Sequence, residues 1–369
     1  MKIIISGGGT GGHIYPAITL INKIKQNVPD CEFLYVGTAL GLEADIVPKE
    51  NIDFKTIEVQ GFRRSLSFKN LKIIFKSLNS VLKSFRIIKS FKPDVVIGTG
   101  GYVCGPILLA ASLMKIPTLI QEQNVIPGIT NKILSKFVDL IAIGYQEAEK
   151  YFPKEKVVFT GNPIRDEIMS AQKEIGLKEL GLKQNKFTVL ISGGSRGARS
   201  INFAMLGVHK YFANNEKIQL LHVTGKGDYN TIVDKLKNVN IDLDEVNNIV
   251  IKPYLYDMPL GIAVADFAIF RAGALGIAEI TARGIPSLLI PYPHAAENHQ
   301  EYNANIIAQS GAALVVKDDE ISSGKIISII EKISNDSEGL LEMQNASAKI
   351  GKPEASQVIT DLIIKLAKS

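Results

Sequence analysis

Cysteine is almost missing from this sequence: Cys31 and Cys104 are its only two, far apart and in no C-x-x-C pair. They can build neither a disulfide framework nor a zinc cluster, and such usage fits a reducing cytoplasm. Histidine is scarce too. None of the five stands in an H-E-x-x-H pattern, and His294 and His299 fall off one helical face, so no metal and no metal cofactor is expected. There is no G-x-x-x-x-G-K-[ST] loop, which excludes an ATP-hydrolysing P-loop. The opening Met1-Lys2-Ile3-Ile4-Ile5-Ser6 is too short an apolar stretch for a signal peptide, so export is not expected. The longest uncharged run, Val95 to Met114, has the length of a membrane span but is interrupted by Gly98, Gly100, Gly101, Gly105 and Pro106. It reads as strand, glycine loop, then helix. Low-complexity tracts are absent, and 46% hydrophobic with 21% charged residues is the balance of a globular protein. At about 150 residues per domain, two domains are expected.

Acid is missing from one long stretch. Between Gly61 and Pro93 nine lysines and arginines occur with no Asp or Glu, and the chain to Pro163 carries 20 basic against 13 acidic residues. That segment calls for an anionic partner. Within it Leu71, Ile74, Phe75, Leu78, Leu82 and Phe85 recur at helical spacing between Lys72, Lys76, Lys83 and Arg86. A core helix with solvated lysines explains this pattern. So does an anionic membrane surface, which the preceding Phe62-Arg63-Arg64 favours. Nucleic acid is the lesser rival, because no recognised binding module accompanies the charge.

Short β-branched runs alternate with helical-period segments, the signature of parallel α/β units. Strands are expected at Lys2–Ser6, Glu32–Val36, Asp94–Gly98, Pro117–Gln121, Leu140–Ile143 and Val157–Thr160. A second series follows at Phe187–Ser192, Gln219–Thr224, Asn248–Ile251, Phe267–Phe270, Ser287–Pro291 and Ala313–Val316. Each half begins with a strand running into glycines, Gly7 to Gly12 in one and Gly193 to Ala198 in the other. Two Rossmann-like domains in tandem explain this, spanning 1–163 and 164–350, with a site expected in the cleft between them.

Gly7 to Gly12 matches G-x-G-x-x-G, so backbone N–H groups at a helix start could approach a diphosphate; a tight turn alone would also need these glycines. NAD or FAD is disfavoured, because an acidic residue should close the second strand and Glu43 comes late. The Gly98-Thr99-Gly100-Gly101-Tyr102 and Gly193-Gly194-Ser195 loops also follow strands directly, which makes accident an unattractive explanation. His13 stands at a helix start, either as a titrating base or as a packed cap. Glu279, one turn into a helix opened by Arg271-Ala272-Gly273, could accept two hydrogen bonds from a ribose diol or simply favour the helix dipole. Asp242-Leu243-Asp244 is a literal Asp-x-Asp, but in a polar stretch that reads as a solvated loop.

Taken in order, Gly8-Gly9-Thr10-Gly11-Gly12-His13, Gly100-Gly101-Tyr102, Glu122-Gln123-Asn124, Gly161-Asn162-Pro163-Ile164-Arg165, Gly193 to Ala198, Arg271 to Glu279 and His299-Gln300 with Asn303-Ala304 resemble the MurG family, bacterial N-acetylglucosaminyltransferases of peptidoglycan synthesis. The resemblance implies a GT-B type glycosyltransferase fold, two Rossmann-like domains facing across a cleft, with residues 351–369 returning as a helix to the first domain. It implies transfer of N-acetylglucosamine from UDP-N-acetylglucosamine to the C4 hydroxyl of undecaprenyl-diphospho-muramoyl-pentapeptide, lipid I to lipid II, by a peripheral protein on the cytoplasmic face of the plasma membrane. Glu279 would then hold the ribose and Leu255 lie against uracil. Ser195 and Arg165 would serve the diphosphate, with Ala274, Leu275, Gly276, Ile277 and Ala278 at the turn beside it. Gln300 and Asn303 would read sugar hydroxyls. Thr10, Gly11, Gly12, His13 and Asn124 would face them, with Tyr102 and Glu122 near the acceptor. The membrane patch would comprise Phe62, Arg63, Arg64, Lys72, Phe75, Lys76 and Leu78. Arg196 departs from a Gln found in some members.

The expected chemistry is a metal-free single displacement that inverts the anomeric centre, with His13 favoured as base and Glu122 behind it. An epimerase or other transferase on the same scaffold, or an inactive nucleotide-sugar-binding subunit, are the rival readings.

Overall fold

The structure is a computed structural model that describes residues 1–59, 69–243 and 245–369, without the side chains of 69–78. Phe62, Arg63, Arg64 and Asp244 therefore lie outside the described residues, as do the side chains of Lys72, Phe75, Lys76 and Leu78. The chain forms two compact units, Met1–Ile164 with Glu354–Ser369, and Arg165–Pro353. The boundaries fall slightly later than the sequence suggests, for local reasons. Ser356 Oγ donates to the Ile164 carbonyl at 2.6 Å, keeping that residue with the first unit. The α-carbon of Gly351 sits so close to the Thr281 backbone that a Cβ would come within 2.4 Å of its carbonyl oxygen, keeping residues 351–353 with the second.

The first unit carries a parallel sheet of β1 (Lys2–Ser6), β2 (Glu32–Gly37), β3 (Asp53–Thr56), β4 (Val95–Gly98), β5 (Thr118–Glu122), β6 (Leu140–Ile143) and β7 (Val157–Phe159). Their order in space is β3-β2-β1-β4-β5-β6-β7. Strands covered on both faces must be apolar throughout, and Ile3, Ile4 and Ile5 are all fully buried. One face packs against the helix Gly11–Asn27 and the returning helix Ala355–Ala367, whose Ile359 and Ile363 share a core with Ile14 and Ile21. Burying each such side chain is worth roughly 1.5–3 kcal/mol. Sequence reasoning did not anticipate β3, a half-exposed edge strand whose Asp53 and Lys55 point to solvent.

The second unit repeats the scheme with β8 (Phe187–Ser192), β9 (Ile218–Val223), β10 (Ile249–Lys252), β11 (Phe267–Phe270), β12 (Ser287–Leu289) and β13 (Ala313–Val315), ordered β10-β9-β8-β11-β12-β13. Strand order reverses beside β1 and β4 in one sheet and beside β8 and β11 in the other, and ligands of such sheets bind at the carboxyl ends of strands at the reversal. The register pairs Ser6 with Gly98 and Ser192 with Phe270. All the glycine loops singled out from sequence thus leave adjacent strand ends at these reversal points.

Beneath the second of these lies a buried polar chain. His209 Nε2 and His222 Nδ1 are 3.0 Å apart, and His222 Nε2 is 3.0 Å from Asn202 Oδ1. The Asn202 amide donates to the Thr224 carbonyl and to Asp228 Oδ2. Burial pushes the His209 imidazole down to about 3 and holds His222 well below the ordinary value, so the pair is neutral at physiological pH.

Candidate functional site

In the first unit, two loops lie backbone on backbone. The Gly8 N–H donates to the Gly100 carbonyl at 3.2 Å. Gly101, at φ +86°, leaves no room for a side chain, since a Cβ would lie 2.4 Å from the Gly8 oxygen. Thr99 ties the loops further, its hydroxyl donating to the His13 carbonyl at 2.6 Å. The helix that follows begins at Gly11 with Thr10 in extended conformation and no side-chain cap, so its first turn is left without a capping side chain. Such a terminus suits an anion.

His13 is fixed by this packing. Its Nδ1 lies 2.9 Å from the Gly8 carbonyl oxygen, which can only accept. Nδ1 therefore carries the proton and Nε2 the lone pair, the form a general base requires. The ring lies over the α-carbon of Gly100, where a Cβ would sit 2.6 Å from His13 Cδ2. Burial lowers the imidazole pKa, against the opposing pulls of the Gly8 carbonyl and the Glu43 carboxylate.

Glu122 is differently placed. It is buried at the end of β5, one oxygen accepting from the Asn124 N–H at 3.0 Å and the other from Asn131 Nδ2 at 2.8 Å and the Gly128 N–H at 3.3 Å. Burial raises its carboxyl pKa while these donors oppose. With both oxygens engaged, it braces the loop that carries Asn124. Tyr102 stands half exposed beyond Gly101.

In the second unit, Ser195 is exposed at the tip of the turn after β8. The turn is pressed against the strand beside it: Gly197 has φ +77°, and a Cβ there would lie 2.0 Å from the Thr224 oxygen. Arg196 is exposed in the same turn. The helix Ala274–Ala282 opens after Gly273 with no side-chain cap, so the N–H groups of Ala274, Leu275 and Gly276 in its first turn have no intrahelical acceptor, with Ile277 and Ala278 completing the turn. Glu279 follows on that helix and is held by Arg165, whose Nε and NH2 donate to a single oxygen, Oε1, at 3.1 and 2.9 Å. The other oxygen is left to accept. Burial raises the Glu279 carboxyl pKa, and Arg165 counters it.

Leu255 is buried in the loop after β10 against Gly261. Gln300 accepts the Tyr292 N–H at 2.9 Å, and buried Asn303 donates to the Ala272 carbonyl at 3.3 Å, so both brace turns around the Ala274 helix start. Among the described residues no three His, Cys, Asp or Glu come together as a metal site.

Two residues with structural claims on these loops carry no role in the sequence reading. Arg271 donates to the Ile290 and Pro291 carbonyls and pairs with Asp318, bolting together the segments that follow β11, β12 and β13. Glu43 lies fully buried under the first glycine loop. No spacing signal marks either.

Known proteins share this arrangement. Residues 3–143 match the glycosyltransferase family 28 N-terminal domain, and residues 188–359 match the C-terminal domain of the same family. A Desulforamulus reducens protein named UDP-N-acetylglucosamine–N-acetylmuramyl-(pentapeptide) pyrophosphoryl-undecaprenol N-acetylglucosamine transferase is 46% identical over 99% of both chains. The Bacillus subtilis protein of the same name is 47% identical over the full length of both. Among solved structures, Acinetobacter baumannii MurG superposes with a TM-score of 0.79 at 28% identity, covering 99% of each chain. S. aureus MnaA with UDP, at 16% identity and a TM-score of 0.68 over 100% of this chain and 98% of that one, shares the fold.

Proposed function

The chain belongs to the MurG family of glycosyltransferases, and from that membership we propose that it moves N-acetylglucosamine from UDP-N-acetylglucosamine to the C4 hydroxyl of the undecaprenyl-diphospho-muramoyl-pentapeptide, inverting the anomeric centre. The observation that carries this reading is the end-to-end match to transferases of that name, with each glycine loop at a strand-order reversal. The second unit takes the donor: Leu255 for uracil, Glu279 for the ribose, Ser195 and the Ala274 helix start for the diphosphate, Gln300 and Asn303 for the sugar. In the first unit, Thr10, Gly11, Gly12 and Asn124 are the donor-binding candidates, and Tyr102 serves the acceptor.

The reaction breaks the bond from the sugar C1 to the diphosphate oxygen and forms one to the acceptor oxygen, while His13 Nε2 takes the hydroxyl proton. Charge left on UDP is met by helix N-termini and by Arg165, which exchanges Glu279 for phosphate oxygens. Preorganised donors of this kind supply the charge stabilisation, so no metal is required. No helix of the described residues is long and apolar enough to cross a membrane. The acid-free segment 61–93 supports peripheral docking on an anionic membrane surface, which this reading assigns to the cytoplasmic face, and nucleic acid is not a partner in it.

UDP release from UDP-N-acetylglucosamine with a short-chain lipid I analogue tests this directly. Release is expected to depend on the acceptor and to persist in EDTA. Acceptor-independent turnover would favour an epimerase-type reaction, and loss of rate in EDTA restored by a divalent cation would overturn the metal-free step.

A further inference from the structure

Glu43 is a buried carboxylate with no cation paired to it among the described residues. Taking a charge out of water without a counter-ion costs several kcal/mol, so a residue needed only to fill space here would be apolar. The surroundings are shaped to receive it. Cβ atoms added at Gly8, Gly37 and Gly41 would lie 2.6, 2.6 and 2.3 Å from Glu43 side-chain atoms, so three positions are kept bare around this one side chain. One oxygen accepts from the Thr38 N–H at 3.0 Å and the Thr38 hydroxyl at 2.7 Å. The other accepts from the Gly9 N–H at 3.0 Å.

That last bond leads to the chemistry. The Gly9 N–H belongs to the peptide whose carbonyl is that of Gly8, and the Gly8 carbonyl is the acceptor for His13 Nδ1–H. One peptide group therefore joins the carboxylate on one side to the imidazole on the other. Resting on the transferase reading with His13 as its base, we propose that Glu43 is the positioning residue for His13, fixing its Nδ1–H tautomer through the Gly8–Gly9 peptide and offsetting the positive charge the ring gains when it takes the acceptor's proton. The peptide replaces the direct carboxylate contact of a Ser-His-Asp triad, whose buried Asp also orients the imidazole and stabilises the imidazolium.

The charge state fits. Burial pushes the Glu43 carboxyl up, but the donors from Gly9 and Thr38 outweigh it and the net direction is down, so it is ionised at neutral pH. Two further titratable groups beside these loops are neutral: the Tyr35 hydroxyl, donating to the Gly7 carbonyl, is raised well above its ordinary value, and the Cys104 thiol, donating to the Gly100 carbonyl, is pushed up to about 12. Among the described residues Glu43 is the charge that acts on His13, and it favours the imidazolium.

The test uses Glu43→Gln, which keeps the volume and removes the charge, with ¹⁵N-histidine spectra recorded on the full chain without substrate. Wild-type neutral His13 should be protonated on Nδ1, and its titration midpoint should move to lower pH in E43Q. In turnover, kcat should fall about 10- to 100-fold, a share of the general-base contribution of about 10²–10⁴, with its acid limb moving to lower pH in step. UDP affinity should stay within about twofold. A wild-type His13 protonated on Nε2 overturns the proposal whether or not the variant folds, and so does a folded E43Q with an unmoved midpoint. The spectra need no acceptor, so failure of the transferase reading and failure of the Glu43–His13 coupling give different results.

Discussion

Replacing His13 by alanine is expected to lower kcat by about 10²–10⁴-fold while leaving the KM for UDP-N-acetylglucosamine within about threefold, because a base acts on the acceptor's proton and adds little to donor binding. The pH profile provides an independent check. A base works when deprotonated, so the rate rises with pH through its midpoint. Burial lowers His13 from the ordinary 6.5, outweighing the pulls of the Gly8 carbonyl and Glu43, so the acid limb should lie below that value and vanish in His13→Ala. An unchanged rate in H13A, or a limb above the ordinary value that survives the substitution, would remove His13 from the chemistry. Glu122, with both oxygens engaged by loop donors, is not expected to inherit the role.

Arg165→Ala should cost about 10²–10³-fold in kcat, the size found on removing one preorganised donor from developing oxyanion charge. It should raise the donor KM as well. Without the guanidinium, nothing opposes the burial that already raises the Glu279 carboxyl, so its pKa climbs further and the group is less often an anionic acceptor for the ribose. The loss in UDP affinity should therefore grow as pH falls. Arg165→Lys keeps the charge but not the two-pronged contact to Oε1 and should recover only part of the rate. Near-normal kcat in R165A at saturating donor would contradict the role.

The sheets were legible because parallel strands covered on both faces leave apolar β-branched runs in sequence, and the glycines after them mark where the chain turns sharply into a helix. The edge strand β3 was not legible: it is four residues long, and its alternating charged residues face solvent. The site divided along similar lines. Thr10 to His13, the Ala274 helix start and Glu279 stand where strand gives way to helix, so local pattern finds them. The Arg165–Glu279 pair spans 114 positions and no spacing rule reaches it. A ribose-binding carboxylate closes the second strand, and Glu43 comes too late after β2 for that. Its carboxylate instead reaches back 34 positions to the Gly9 N–H, a contact made by the fold and not by the local chain.

The central claim is most directly tested by the mass and proton NMR spectrum of the lipid product formed by this protein from UDP-N-acetylglucosamine and a lipid I analogue. The acceptor should gain one N-acetylhexosamine, β-linked at the C4 hydroxyl of its muramoyl sugar. Donor consumed with the acceptor unchanged, or an α-linked product, would contradict it.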